Sequence, residues 1–226
     1  MLNVQTTVAQ IVLDHSAAAA VFQKHRIDYC CRGHLPFAEA CAERGADAAA
    51  VQSELEAAIA ARGEESDFDP RGLDTAALVA HIVDTHHAYL REALPFLVAL
   101  ANKVARVHGA RHLELLELRE AVLTLNDALL PHLDREEEVL FPALIANRPG
   151  DAVIQTELQG MHADHLEVAQ TLEHVRSLTG DFTIPFDACT SYSTLFRELE
   201  ALEGDVLRHV HLENHVLMPR FAARAA

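Results

Sequence analysis

Two stretches of this 226-residue chain repeat one arrangement of metal-ligand side chains. Pro131 to Pro142 reads PHLDREEEVLFP and His209 to Pro219 reads HVHLENHVLMP, so both contain His-x3-Glu-x2-Val-Leu-x-Pro. On a helix, residues four apart share one face about 6 Å apart along the axis, so His132 with Glu136, and His209 with Glu213, each aim a nitrogen and a carboxylate the same way. Each copy is half of a metal site. Two such helices face to face would bring two imidazoles and two carboxylates to one point, a ligand set for two metal ions.

The elements that would carry these ligands are helices. Half of the residues are hydrophobic, glycine is scarce, and apolar residues recur at spacings of three and four. Asp74 caps a helix with the stripe Val79, Val83, His87, Leu90 and Leu94, in which Pro95 is expected to introduce a kink. A histidine stands at a core position there; His86 lies on a weaker adjacent line, His81 reads as peripheral, and His108, just before Gly109, reads as a cation at a helix C-terminus. The second helix runs from about His112 to Ala146, with Pro131 able to kink it and with Glu137 and Glu138 on a solvated face. Asp151 caps a third whose stripe is Leu158, Met161, His165, Val168, Leu172 and Val175, with His162 second in preference to His165. The last, from about Asp187 to Met218, carries His209 and Glu213 beside Leu195, Leu199, Leu202 and Val206; His211 and His215 fall on another face and read as surface residues.

Four imidazoles and two carboxylates suit neither structural zinc nor calcium. Shared between two ions, they give each ion two nitrogens and an oxygen from each bridging carboxylate. A bridging oxide or hydroxide makes five ligands, leaving one octahedral position open. Iron fits best, with manganese behind it. The spacing differs from the Glu-x-x-His pairs of ferritin-like bundles.

A formal net charge of −16 argues against a nucleic-acid or anionic-membrane surface. No apolar run approaches the roughly 20 residues of a membrane span, and the amino terminus lacks the order of a secretory signal, which together predict a cytoplasmic protein. Cys30, Cys31, Cys41 and Cys189 read as thiols, the adjacent pair being poorly placed for a structural bridge. Residues 1–62 read as a small helical domain with three helices: one through Val8, Ile11 and Val12, one entered at Ser16, and one capped by Asp47. Between them Asp28 to His34, DYCCRGH, is expected as a turn exposing two thiols. Residues 63–73 form a polar, Gly- and Pro-marked linker, and 74–226 the bundle.

With Asp28-Tyr29-Cys30-Cys31 in the first part and the two His-x3-Glu repeats in the second, the chain resembles the iron-sulfur cluster repair di-iron proteins, the Repair of Iron Centres or ScdA/YtfE-type family. The resemblance implies an all-α protein, a small amino-terminal helical domain followed by a hemerythrin-like up-down four-helix bundle. It implies a non-haem di-iron centre, carboxylate- and oxo- or hydroxo-bridged, on His87, His132, Glu136, His165, His209 and Glu213, with Cys30 and Cys31 assisting iron transfer or redox steps. The implied function is repair of clusters damaged by nitric oxide or oxidants, by donating iron or binding nitric oxide; the implied partners are damaged iron-sulfur proteins, nitric oxide or dioxygen, and a second copy in a homodimer. Alternatives are an oxygen or nitric oxide binder or sensor, and a di-iron nitric oxide reductase. Arg32 stands where the family usually has glycine, and Met161 where oxygen-carrying hemerythrins have a histidine, so one ligand fewer is present and the site is expected to be more open.

Overall fold

The computed structural model describes residues 3–62, 69–146 and 152–221. Among these the regular structure is helical, and the one isolated β-bridge pairs Thr7 with Pro36. No helix of the described residues is long and apolar enough to cross a membrane. Packing divides the chain into two compact units: Met1–Leu78 with Leu207–Ala226, and Val79–Val206. This packing division is distinct from the 1–62, 63–73 and 74–226 division expected from composition, because a linker is read from residue types and a packed unit from which segments touch.

In the first unit, α1 (Val8–Asp14) starts at Thr7, whose hydroxyl accepts from Gln10 N at 3.2 Å. α2 (Ala18–Lys24) begins without a side-chain cap, and Ser16 instead accepts a hydrogen bond from Arg62. A helix absent from the sequence reading, α3 (Phe37–Glu43), follows Pro36; at seven residues it is too short for its spacing of Phe37, Ala40 and Cys41 to register as periodic. α4 (Ala48–Arg62) starts as expected at Asp47, which accepts from Ala49 N at 3.0 Å. Val8, Ile11, Phe22, Tyr29, Phe37 and Leu55 form the core, and Leu207 packs against it. Of the expected linker, residues 63–68 lie outside the described residues. Its remainder is pinned, since Arg71 bonds Asp69 and Asp14 at 2.8 Å each.

α5 (Thr75–Ile82) starts at Asp74, which accepts from Ala77 N at 2.8 Å. In the second unit it runs through a π segment, Val83–His87, into α6 (Ala88–His108). A short turn leads to α7 (Glu114–Arg135), a second π segment Glu136–Leu140 and α8 (Phe141–Ala146). α9 (Ala152–Leu178) and α10 (Thr190–Leu212) complete the helices; the proposed cap Asp151 lies outside the described residues. α6 packs along α7, and α7 along α9. α10 is tied in by a buried Arg176 to Glu203 pair, Nε to Oε1 2.8 Å. Pro95 and Pro131 sit inside α6 and α7, so neither ends its helix. In the second unit, π segments interrupt the α geometry at Val83–His87 and Glu136–Leu140.

Candidate metal centre

Four of the six ligand candidates gather in the second unit. His87 and Glu136 are 0 % exposed, His165 2 % and His132 5 %. Glu136 turns its two oxygens to different imidazoles: Oε2 lies 3.4 Å from His87 Nε2, and Oε1 lies 3.4 Å from His132 Nε2. The rings of His132 and His165 meet edge-on at 5.1 Å, and ligand atoms of His132, Glu136 and His165 lie within 4.8 Å of one another. A carboxylate this deeply buried needs compensating positive charge. Spacings of 3.4 Å are long for charge-assisted hydrogen bonds and suit donors arranged around cations. A nitrogen-and-carboxylate set of this kind fits iron.

The local backbone adapts to these side chains. His87 ends one π segment and Glu136 begins another, where Phe141 N bonds back five residues to Glu136 O. π segments of this sort are frequent at functional sites, because one extra residue per turn re-aims a side chain without ending the helix.

Around the ligands lie carboxylates that sequence reasoning passed over. Glu137, read as part of a solvated face, accepts from His87 Nδ1 at 2.9 Å and from Arg91 at 3.0 Å; Arg91 also reaches Asp134 at 2.7 Å. Burial pulls the Glu137 pKa up, but the His87 and Arg91 hydrogen bonds outweigh it and hold the group below the usual carboxylate range. His132 Nδ1 lies 3.3 Å from Asp164, on α9. With Nδ1 directed to a carboxylate, each imidazole presents Nε2 inward. No local motif marks these partners, which sit 50 and 32 residues away from their histidines. His87 also stacks on Phe141 at 5.6 Å.

The other histidines separate clearly. His86 is buried but turns to Asp205 at 2.9 Å, and His162 is exposed. His108, expected to serve only a helix C-terminus, is buried, with Nε2 3.3 Å from Cys189 Sγ. Met161 is fully buried.

The remaining two candidates belong to the first unit. His209 Nε2 lies 3.0 Å from Glu213 Oε1, both side chains buried, and Glu213 opens a third π segment, Glu213–Leu217. Two of the neighbouring residues overturn their reading as surface histidines. His211 is 3 % exposed, with Nδ1 3.1 Å from Tyr29 O, and His215 Nε2 lies 2.7 Å from Cys30 O. Asn214 donates to Cys30 O at 3.2 Å. Burial, and then the neighbouring His215, push the His211 pKa down to about 4, so it is neutral at physiological pH. The helix that carries Glu213 therefore also holds the cysteine loop by its backbone carbonyls.

That loop is less open than expected. Cys30 is buried and Cys31 half-buried. Asp28 Oδ1 accepts from Cys30 N at 3.0 Å, Cys31 N at 2.8 Å and Cys30 Sγ at 3.2 Å, and the two sulfurs are 3.7 Å apart. The hydrogen bond with Cys31, with burial behind it, pushes the Cys30 thiol well above its ordinary pKa. Arg32 points outward to Glu43 at 2.6 Å.

Comparison with known proteins gives two family matches. The Hemerythrin HHE cation binding domain matches residues 78–221, and ScdA_N, a domain of unknown function, matches residues 4–59. The iron-sulfur cluster repair protein ScdA of Staphylococcus haemolyticus is 33 % identical over 98 % of this chain and 100 % of its own length. ScdA of Staphylococcus epidermidis is 31 % identical over 97 % and 99 %. The iron-sulfur cluster repair protein YtfE of Escherichia coli O157:H7 is 32 % identical over 96 % of each chain.

Proposed function

We propose that this chain, which belongs to the ScdA/YtfE family of iron-sulfur cluster repair proteins with an ScdA_N domain and a hemerythrin HHE cation-binding domain, repairs damaged clusters by supplying iron from a two-iron centre. His87, His132, Glu136 and His165 form one part of the ligand set, and His209 with Glu213 the other. The observation that carries this reading is the Glu136 carboxylate, buried, with one oxygen toward His87 and the other toward His132. A carboxylate so placed is suited to bridging two cations. The second half follows from the repeat, since Glu213 stands at the same place in a π segment as Glu136.

Iron bound there supplies redox change and open coordination positions for a small ligand such as nitric oxide or dioxygen. The protein's own part is to hold Nε2 of two histidines inward, through Glu137 for His87 and Asp164 for His132, and to keep the ligand carboxylates out of bulk water. Met161, where oxygen carriers have a histidine, leaves the ligand set one short and favours release of iron over storage of oxygen. Clients are iron-sulfur proteins damaged by nitric oxide or oxidants in the cytoplasm. Cys30 and Cys31 take part in the transfer; Cys31, the more exposed of the two, meets the incoming partner first.

Metal content and Mössbauer spectroscopy on anaerobically purified protein test the centre. About two irons per chain with a coupled spectrum, lost in a Glu136→Ala, Glu213→Ala double variant, is the expected result. One zinc per chain, or iron unchanged in the variant, would falsify the bridged centre. Replacing Cys30 and Cys31 should slow repair of a nitrosylated client while leaving the iron content intact.

A further inference from the structure

The supports of the two histidines that share Glu136 are unequal. His87 Nδ1 meets Glu137 at 2.9 Å, and Glu137 is itself clamped by Arg91. The His87 ring is covered by Phe141 and has no exposed surface. His132 Nδ1 meets Asp164 at a looser 3.3 Å, and Asp164 is contested by Arg135 at 3.6 Å, whose main partner is Glu157 at 2.6 Å. His132 also forms part of the wall of a surface pocket of about 270 Å³, lined besides by Pro131, Arg135, Asp164 and Glu167. Asp164 and Glu167 outnumber Arg135 in that wall, a net negative lining that a hydrated cation can pass. The tighter support, whose histidine ring is covered by Phe141, and the looser one, whose histidine lines the pocket, lie on opposite oxygens of the same carboxylate; the supporting carboxylates Glu137 and Asp164 are themselves 32 % and 39 % exposed.

We infer that the two cation positions differ in lability: the iron on the His132–His165 side is the one released, leaving beside His132 through the Asp164–Glu167 pocket, and the iron on the His87 side is retained. Asp164 and Glu137 are positioning residues, each setting the basicity and orientation of one imidazole. The inference rests on the two-iron reading above. Removing the negative charge from such a partner lowers metal affinity by roughly 10- to 100-fold, acting through the one histidine it touches.

The test is release of iron from the full chain, loaded anaerobically with two equivalents of ferrous iron and mixed with excess ferrozine. Two phases of about one iron each are expected. Asp164→Asn should accelerate the fast phase about tenfold or more and leave the slow phase unchanged, whereas Glu137→Gln should accelerate the slow phase alone. A purely structural role for either residue would move both phases together. Two irons leaving in one phase, or Asp164→Asn acting on both phases or on neither, overturns the inference while the two-iron centre stands. A chain that loads only one iron removes both.

Discussion

Cys30 and Cys31 are neighbours in sequence and unlike in chemistry. Cys30 is buried, its sulfur shares hydrogen bonds with Asp28 and Cys31, and its pKa lies well above the ordinary thiol value. Nucleophilic reactivity follows the thiolate fraction, so Cys30 alkylates slowly at neutral pH while its sulfur keeps these neighbours. Peptide mapping after brief iodoacetamide treatment of the native protein at pH 7.5 should find Cys31 and the exposed Cys189 modified well before Cys30. Raising the pH to 9 should not close that gap, since the folded-state pKa of Cys30 is displaced upward. Equal modification of both neighbours would mean that the loop opens readily in solution.

Among the elements, three π segments carry three of the ligand candidates, His87, Glu136 and Glu213. Prolines follow two of them, Pro142 and Pro219, and remove the N–H that would serve the carbonyl four residues earlier. No proline stands at the equivalent place after Val83–His87, so proline is not their general cause. What the three share is a buried ligand-type side chain at one end. The third also seats the cysteine loop, at a point where only glycine fits: a Cβ on Gly33 would collide with His215 Nε2 and Tyr29 O. Gly33→Ala should therefore cost about 1–3 kcal/mol in urea unfolding and speed Cys30 modification, since the loop must lift from His215. Elsewhere, Arg176 joins α9 to α10 through Glu203, reaches Asp181 at 3.2 Å and lies over the Phe182 ring. Arg176→Ala takes the guanidinium away from the buried Glu203, and should destabilise the protein by about 3–5 kcal/mol in the same measurement.

For the molecule as a whole, a net charge of −16 sits on a fold with buried ionisable groups, and its stability should depend on pH at the alkaline end. Burial, and then the negative Glu114 and Asp187, push the Tyr192 pKa from 10 up to about 12. The folded state then keeps the phenolic proton where the unfolded state loses it. The contribution is fully present below about pH 10 and is lost as pH rises toward 12. Urea midpoints measured across that range should fall for the native protein, and fall less for Tyr192→Phe, which has no proton to lose.

The helical class and the starts of α4 and α5 at Asp47 and Asp74 were legible in the chain itself, as was the spacing on which the six ligand candidates are proposed. They depend on patterns that a few residues of helix carry on their own: the i+4 spacing of His132 with Glu136 and of His209 with Glu213, and a histidine inside an apolar stripe. Family membership was legible too, because the Cys-Cys pair and the repeats stand in one order along the chain. Tertiary structure alone decided what surrounds those residues. Glu137 and Glu138 read alike as surface acids, and only the packing of α6 on α7 makes Glu137 the partner of His87. Asp164 reaches His132, and His211 and His215 reach the backbone of Tyr29 and Cys30, across separations of 32, 182 and 185 residues. Such contacts leave no local period, since they arise from how whole helices meet. The same holds for the burial of Cys30, whose pKa is set by neighbours that folding brings to it.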